Sequence, residues 1–481
     1  MAELIRLSAR EAVARLRRGE VSPLELIDAA IARIEAVDPA VNALPTLCFE
    51  RAREAAKRVM ADKQDRTQDP GWLAGLPVVI KDMSDVAGVR TTYGSRIFKD
   101  HVPERSSFEV ERLEATGAVV LAKSNTPEFA AGGNTFNEVF GVTRNPWCCA
   151  RTCGGSSGGS AVALATGMAW LATGSDLGGS LRLPASFCGV VGLRPSPGRV
   201  PQGPEIAPFQ TLSVAGPLAR DVADLALMLD AMAGFDRRDP RSFDAPAISF
   251  TSALERPPRL STVAFSADLG GITPVDAEVA TVCAKAAARV RELGVAVDEE
   301  APDLSGALDV FTVLRAELYA AERAPLLDRH REMLKPEVVW NIEKGLVLNS
   351  DEIGRAERER GLLFQRLLAF FDTYDLLLCP TAIMPPFAAE VRYPEALGGH
   401  RFATYVDWAT STLAFSITGC PALSLPCGFT GEGLPIGLQL VGPPRSEAAL
   451  LATAQRFEEA FALSPRPPIN PAVPQPSANQ P

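Results

Sequence analysis

Two serines in glycine-rich settings carry the chemistry that this chain could do. Ser156 stands in the run Cys153–Ser160, which reads Cys-Gly-Gly-Ser-Ser-Gly-Gly-Ser, and Ser180 follows Asp176, Leu177, Gly178 and Gly179. Glycine lets backbone approach a ligand closely and adopts dihedrals that other residues avoid. The stretch Leu177–Ser180 can therefore aim several N–H groups at one point. There they would hold the oxyanion of an attacked carbonyl, worth about 2.7–4 kcal/mol per donor. A flexible linker is also rich in Gly and Ser. The segment Ala161–Ala172 between the two serines is largely apolar, however, which a solvated linker would not be.

A serine nucleophile needs a base. The chain has three histidines, His101, His330 and His400, and each sits among charged or turn residues, as surface positions do. Gly154–Gly158 matches the G-x-S-x-G elbow of α/β-hydrolases. That elbow should follow a strand, and Cys148–Cys153 does not read as one. It also leaves the Ser180 motif unexplained. Lysine is the other base used with serine. It must be neutral to accept a proton, and bringing its pKa from about 10.4 to neutrality takes about 4.6 kcal/mol, which full burial can supply. Lys81 closes the apolar run Val78–Ile80 and is the best placed candidate. A lysine snorkelling from a strand end, or one paired with Asp82 or Asp85, fits the same residues. Composition alone leaves these readings open.

The elements around these residues alternate between helix and strand. Ser8 with Glu11, and Ser22 with Pro23 and Glu25, mark two helix starts. The second of these helices is expected to stop before Asp38 and Pro39. Residues 46–68 read as a third helix, and residues 68–71 as a loop. Strands are expected at Leu76–Lys81 and Ala118–Ala122. After Ser156 the pattern predicts a helix to about Met168, then a strand from Trp170 to Ser175. A helix of about twelve residues travels about 18 Å, and about six strand residues return about 20 Å. Ser156 and Ser180 can thus lie at the same end of one sheet, where α/β folds bind ligands.

Further helices are expected at Asp221–Gly234, Pro274–Gly294 and Ser446–Ala462. Further strands are expected at Arg259–Phe265, Tyr374–Cys379, Ala422–Pro426 and Pro435–Val441. Residues 307–361 read as a polar helical cap. Residues 464–481 form a proline-rich tail, expected to be extended or disordered.

The chain has 481 residues, 47% hydrophobic and 22% charged, with a formal net charge of −10. That balance is ordinary for a globular protein of the cytoplasm and argues against a nucleic-acid surface, which needs clustered Lys and Arg. Thr152–Ser175 carries no charge, but its Gly and Ser content reads as a buried helix and strand, not a membrane span. The N-terminus lacks the basic and apolar segments of a signal peptide. Nine scattered cysteines are expected to be reduced, and the cluster Cys148, Cys149 and Cys153 has no second Cys/His pair at zinc-site spacing. No metal site is therefore expected.

The residues now resemble a known family. Gly75–Asp82, Gly154–Gly159 and Gly174–Ala185, in that order and spacing, are similar to the motifs of the amidase signature family. Its members include bacterial amidases, fatty acid amide hydrolase and the A subunit of the glutamyl-tRNA amidotransferase. The likeness runs from about Ser8 to Ala460 and takes in Ala122–Phe129, Arg144–Trp147 and Gly419–Gly428. It implies an α/β fold with a large mixed, mostly parallel, twisted sheet covered by helices on both faces. One amidase domain would span 1–463, including the 307–361 cap, with 464–481 as tail.

The resemblance also assigns roles. Ser180 matches the nucleophile. Ser156 matches a bridging serine that follows a cis Gly–Ser bond, and Lys81 matches the base. The N–H groups of Leu177, Gly178, Gly179 and Ser180 match the oxyanion hole, while Ser157, Asp176 and Arg182 match residues that fix this loop. An acyl-enzyme on Ser180 would form and be hydrolysed with no metal or organic cofactor. The implied protein is a cytoplasmic amide hydrolase, a homodimer by family precedent, with no nucleic-acid or membrane partner. Its substrate would be a small to medium acyl, aryl or cyclic amide, or a carbamate as in a urethanase, or an ester.

The alternative is a glutaminase subunit of a glutamyl-tRNA amidotransferase. That role needs polar groups for glutamine's ammonium and carboxylate, and Tyr405–Phe415 is apolar and aromatic where they are expected. The pocket walls are expected from Ala130–Asn134, Val200–Phe209 and the 307–361 region.

Overall fold

The computed structural model describes residues 3–62, 64, 66 and 69–473. Eleven strands form one sheet: β1 (Thr46–Leu47), β2 (Pro77–Lys81), β3 (Val119–Ser124), β4 (Leu171–Asp176), β5 (Val191–Arg194), β6 (Val214–Ala219), β7 (Thr262–Phe265), β8 (Ala296–Glu299), β9 (Leu376–Pro380), β10 (Ala422–Phe429) and β11 (Pro435–Val441). Their spatial order is β1-β3-β2-β4-β6-β5-β10-β11-β9-β7-β8. The sheet is mixed. Parallel pairs lie in the two wings, β3-β2-β4 and β9-β7-β8. Antiparallel pairs run through the centre from β4 to β9 and hold β1 on the edge.

Both faces of the sheet are buried, because alternate strand residues enter different cores. In β9, Leu376 and Leu378 join Val279, Cys283 and Phe457 of the helices Ala277–Glu292 and Glu447–Phe461. Leu377 and Cys379 join Phe311, Leu363 and Leu413 of the helices Ala307–His330, Ser350–Phe371 and Thr410–Ser416. A strand covered on both sides reads as a continuous apolar run, which is why these segments were legible.

Several expected boundaries shift. Pro39 lies inside the helix Pro23–Val41 and does not end it. The Asp38 carboxylate accepts from Ala43 and Leu44 N–H at 2.7 and 3.2 Å, and Asn42 closes the helix in the left-handed region. Ser22 and Glu25 form a full capping box. Ser8 caps Glu11 N–H, but the Glu11 carboxylate turns to Arg15 at 2.6 Å, so only half of that box forms. The third helix is Phe49–Ala61; Gln68, placed at the start of a loop, lies outside the described residues.

Cys148–Thr152 is a strand after all, paired with Arg144–Asn145 in a small separate hairpin and not in the main sheet. The described part of the tail forms no helix or strand and is tied to the body: Ile469 N–H donates to Ala165 O at 2.8 Å and Cys149 N–H to Ala472 O at 3.0 Å. Among the described residues no helix is long and apolar enough to cross a membrane.

Candidate active site

Lys81, the last residue of β2, is buried, and its Nζ lies 2.6 Å from Ser156 Oγ, 3.0 Å from Ser157 Oγ and 2.9 Å from Ser175 Oγ. Among the described residues no carboxylate pairs with it. Asp82 instead accepts from Lys123 Nζ at 3.0 Å and from the Thr92 hydroxyl at 2.6 Å, while Asp85 accepts from the Tyr93 hydroxyl at 2.7 Å. The ion-pair reading of Lys81 is thereby removed. Burial lowers its pKa to about 7, with the Asp176 charge opposing the shift. A lysine with a pKa near neutrality has the protonation balance that a general base needs.

Ser156 is wholly buried, and it follows a cis Gly155–Ser156 peptide bond. Ser157 and the helix Gly158–Ala165 come next. That helix packs on β2, β3, β4 and β6, so the serine loop and the end of β2 meet at one end of the sheet. β4 leads into the second loop, where Ser180 is half-buried. The two loops are stitched together where Ser157 N–H donates to Ser180 O at 3.1 Å. Ser156 is therefore fully buried beside the amine, and Ser180 is the more accessible of the two.

Asp176 anchors the Ser180 loop. Its carboxylate accepts from Gly179 and Leu181 N–H at 2.9 and 3.1 Å, from Arg182 Nε and Nη2 at 3.0 and 2.9 Å, and from Arg194 Nη1 at 3.2 Å. Burial would raise the Asp176 carboxyl, but Arg182, Arg194 and the Leu181 N–H outweigh it and hold it well below the usual carboxylate range. This corrects one expectation. Gly179 N–H is committed to Asp176, which leaves Leu177, Gly178 and Ser180 as the loop N–H groups with no acceptor among the described residues. Gly179 has φ +128°, and a Cβ there would sit 2.3 Å from Thr412 Oγ1, so only glycine fits.

Arg182 also donates to Gln439 Oε1 at 2.7 Å, Thr412 O at 2.9 Å and Ser416 Oγ at 2.8 Å. Arg194 reaches Asp176 O and, at 3.0 Å, Ser416 O. Thr412 Oγ1 donates to Gly178 O at 2.7 Å. The helix Thr410–Ser416 and the Ser180 loop are thus one hydrogen-bonded unit. Sequence reasoning missed Ser175, Arg194, Thr412 and Gln439. Arg194 had a usable signal, a lone charge closing the apolar run from Val190 to Leu193.

The cavity that holds Ser156 and Ser180 has a volume of about 540 Å³. Ala130, Gly132 and Gly133 line it, as do Gln202–Ile206 and the helix Ala307–His330 through Phe311, Arg315 and Tyr319. Tyr405, Trp408 and Leu413 form another wall. The expected walls need three corrections. Asn134 turns away to the Ala389 and Val391 carbonyls at 2.9 and 2.7 Å, Phe209 is 79% exposed, and no residue of 336–371 reaches the cavity. His101, His330 and His400 lie outside it; His400 is exposed, and His101 and His330 are half-buried. Among the described residues no group of three His, Cys, Asp or Glu is arranged to hold a metal ion.

The sequence model of the Amidase family matches residues 25–451. The A subunit of the glutamyl-tRNA(Gln) amidotransferase from Moorella thermoacetica is 38% identical over 97% of this chain and 99% of its own length. An acylamidase of Rhodococcus erythropolis is 35% identical over 94% of this chain and 95% of its own. Among solved structures, a bacterial aryl acylamidase of the amidase signature family superposes with a TM-score of 0.88 at 29% identity, covering 95% of this chain and 97% of that one. A lysine-and-serine site at the end of an eleven-stranded mixed sheet and a family match across most of the chain agree: this protein belongs to the amidase signature family and is an amide-hydrolysing enzyme.

Proposed function

We propose that the protein hydrolyses amides through an acyl-enzyme on Ser180, with Ser156 relaying protons to and from Lys81. The observation that carries this reading is a buried lysine without a carboxylate partner, 2.6 Å from the hydroxyl of a buried serine. In acylation, Ser180 Oγ attacks the substrate carbonyl carbon. Its proton passes to Ser156 Oγ as the Ser156 proton passes to Lys81 Nζ. The Leu177, Gly178 and Ser180 N–H groups receive the developing oxyanion. Collapse of the tetrahedral intermediate breaks the C–N bond, and the leaving amine takes a proton from Ser156, which recovers one from the Lys81 ammonium. Water then attacks the ester carbonyl by the same relay, releasing the carboxylic acid and restoring Ser180.

The substrate reading is an acyl, aryl or cyclic amide of small to medium size, with carbamates and esters as further candidates. A cavity of about 540 Å³ with Phe311, Tyr319, Tyr405 and Trp408 on its walls supports it. Similarity to an acylamidase and to an aryl acylamidase points the same way.

The second reading is the glutaminase subunit of a tRNA amidotransferase, which the 38% identity to such a protein favours. Against it, Asp407, the one acid in Tyr405–Phe415, spends its carboxylate on Ala403 and Thr404 N–H at 2.9 and 3.1 Å. The test is hydrolysis by the purified chain alone of aliphatic amides, aryl amides, lactams, carbamates and glutamine. Turnover of the non-glutamine amides is expected; turnover confined to glutamine would establish the second reading.

A further inference from the structure

Among the described residues, one guanidinium on the cavity wall, that of Arg315, lacks a counter-ion. Glu205 is paired with Arg241 at 2.9 Å, and Glu322 with Arg323. Burial pushes the Glu109 carboxyl up to about 7, opposed mainly by its hydrogen bond from Ser84. Arg315 is only 5% exposed, and its Nε and Nη1 have no hydrogen-bond partner among the described residues. Its polar neighbours among the described residues are two tyrosine hydroxyls: Nη2 donates to Tyr319 in a long bond of 3.4 Å, and the Tyr405 hydroxyl also bonds it. The rings of Tyr319, Tyr405 and Phe311 surround the guanidinium, with centroids at 5.0, 5.1 and 5.9 Å. Those rings orient it through cation–π contact, but they supply no anion.

Its position relates it to the chemistry. Phe311, one turn earlier on the same helix, lies against Gly178: a Cβ on that glycine would meet the ring at 2.7 Å. One helical turn is about 5.4 Å, so Arg315 stands about that much farther along the helix from the Ser180 loop. A planar, permanently charged fork in a water-poor aromatic setting suits a carboxylate, which can accept two of its N–H groups at once.

We propose that Arg315 is the docking point for a carboxylate that the substrate carries several bonds from its scissile amide. The favoured substrates are then mono-amides of dicarboxylic acids or N-acylated ω-amino acids, not their neutral counterparts. This rests on the amide-hydrolase reading and names its substrate class.

The test uses the full chain and two substrate series. One consists of mono-anilides of straight-chain dicarboxylic acids, and the other of N-benzoyl ω-amino acids. Each is compared with analogues in which an isopropyl group replaces the carboxylate. In at least one series the carboxylate is expected to raise kcat/KM about tenfold or more, chiefly through KM, the scale of a charge-assisted hydrogen bond. Arg315→Met should bring the ratio to about one or below, and Arg315→Lys should retain part of it, with fluorophosphonate labelling of Ser180 reporting that each variant is folded. If Arg315→Met does not fold, competitive inhibition of neutral anilide hydrolysis by the free dicarboxylates decides for the wild type. Equal use of both analogues without such inhibition overturns the proposal, as does a preference that survives in Arg315→Met. No hydrolysis in any arm would instead contradict the amide-hydrolase reading.

Discussion

Lys81 Nζ sits 2.6 Å from Ser156 Oγ, while the adjacent acid Asp82 turns to Lys123 instead. This division decides what Lys81 can do. A lysine paired with a carboxylate stays protonated, whereas one held only by hydroxyls in a buried site can lose its proton near neutrality.

Ser180→Ala is expected to abolish turnover and leave the fold intact, since it removes one hydroxyl from a loop held by Asp176 and Arg182. Mass spectrometry of the wild type after a fluorophosphonate should place the adduct on Ser180. An adduct on Ser156 would mean that the two serines exchange roles.

Ser156→Ala should lower kcat by about 10²–10⁴-fold, the range of general acid–base terms, and less than Ser180→Ala does. Water can partly replace a relay but not a nucleophile. Steady-state kinetics on one aryl amide checks this, and full activity in Ser156→Ala would remove the relay.

Asp176→Asn leaves Arg182 and Arg194 buried without a carboxylate. Breaking a buried pair this way costs about 3–5 kcal/mol. Denaturant unfolding should show a loss of that order, and fluorophosphonate labelling of Ser180 should slow. The wild-type carboxyl is held low, so its contribution is present above about pH 4, the ordinary Asp range, and is lost as pH falls further. Labelling at the wild-type rate in the variant would show that Asp176 does not shape the loop.

Lys81→Met should be more stable than the wild type at neutral pH. The folded amine has a pKa of about 7, against about 10.4 in the unfolded chain. Between those values the unfolded chain binds a proton that the folded one lacks, so this group destabilises fully below about pH 7 and ceases to do so above about pH 10. Thermal unfolding at pH 6.5 and 9.5 should show an advantage for Lys81→Met that shrinks as pH rises. An advantage that grows with pH would contradict the assignment.

The two glycine–serine motifs and the apolar run before Lys81 were legible because local sequence carries them. The ion pairing was not. Asp82 follows Lys81 directly, yet neighbours on a strand point to opposite faces, and Lys123 arrives from β3, where it pairs in register with Ile80. Gly179 has a similar history: its N–H goes to Asp176, and both its φ of +128° and the nearness of Thr412 leave room for glycine alone. Arg194, Thr412 and Gln439 reach the site from distant segments, which no local pattern encodes. Nor does local sequence show that the helix runs through Pro39 to Val41, with Asp38 accepting the N–H groups beyond its end.

The pH dependence of kcat/KM on a neutral aryl amide tests the central claim most directly. Activity requires neutral Lys81, so the rate should fall with a single acid limb near pH 7, where burial places its pKa. It should hold on the alkaline side to about pH 9, and the triple substitution of His101, His330 and His400 should leave the limb in place. A limb erased by that triple substitution, or near wild-type turnover in Lys81→Met, would contradict the Ser180–Ser156–Lys81 account.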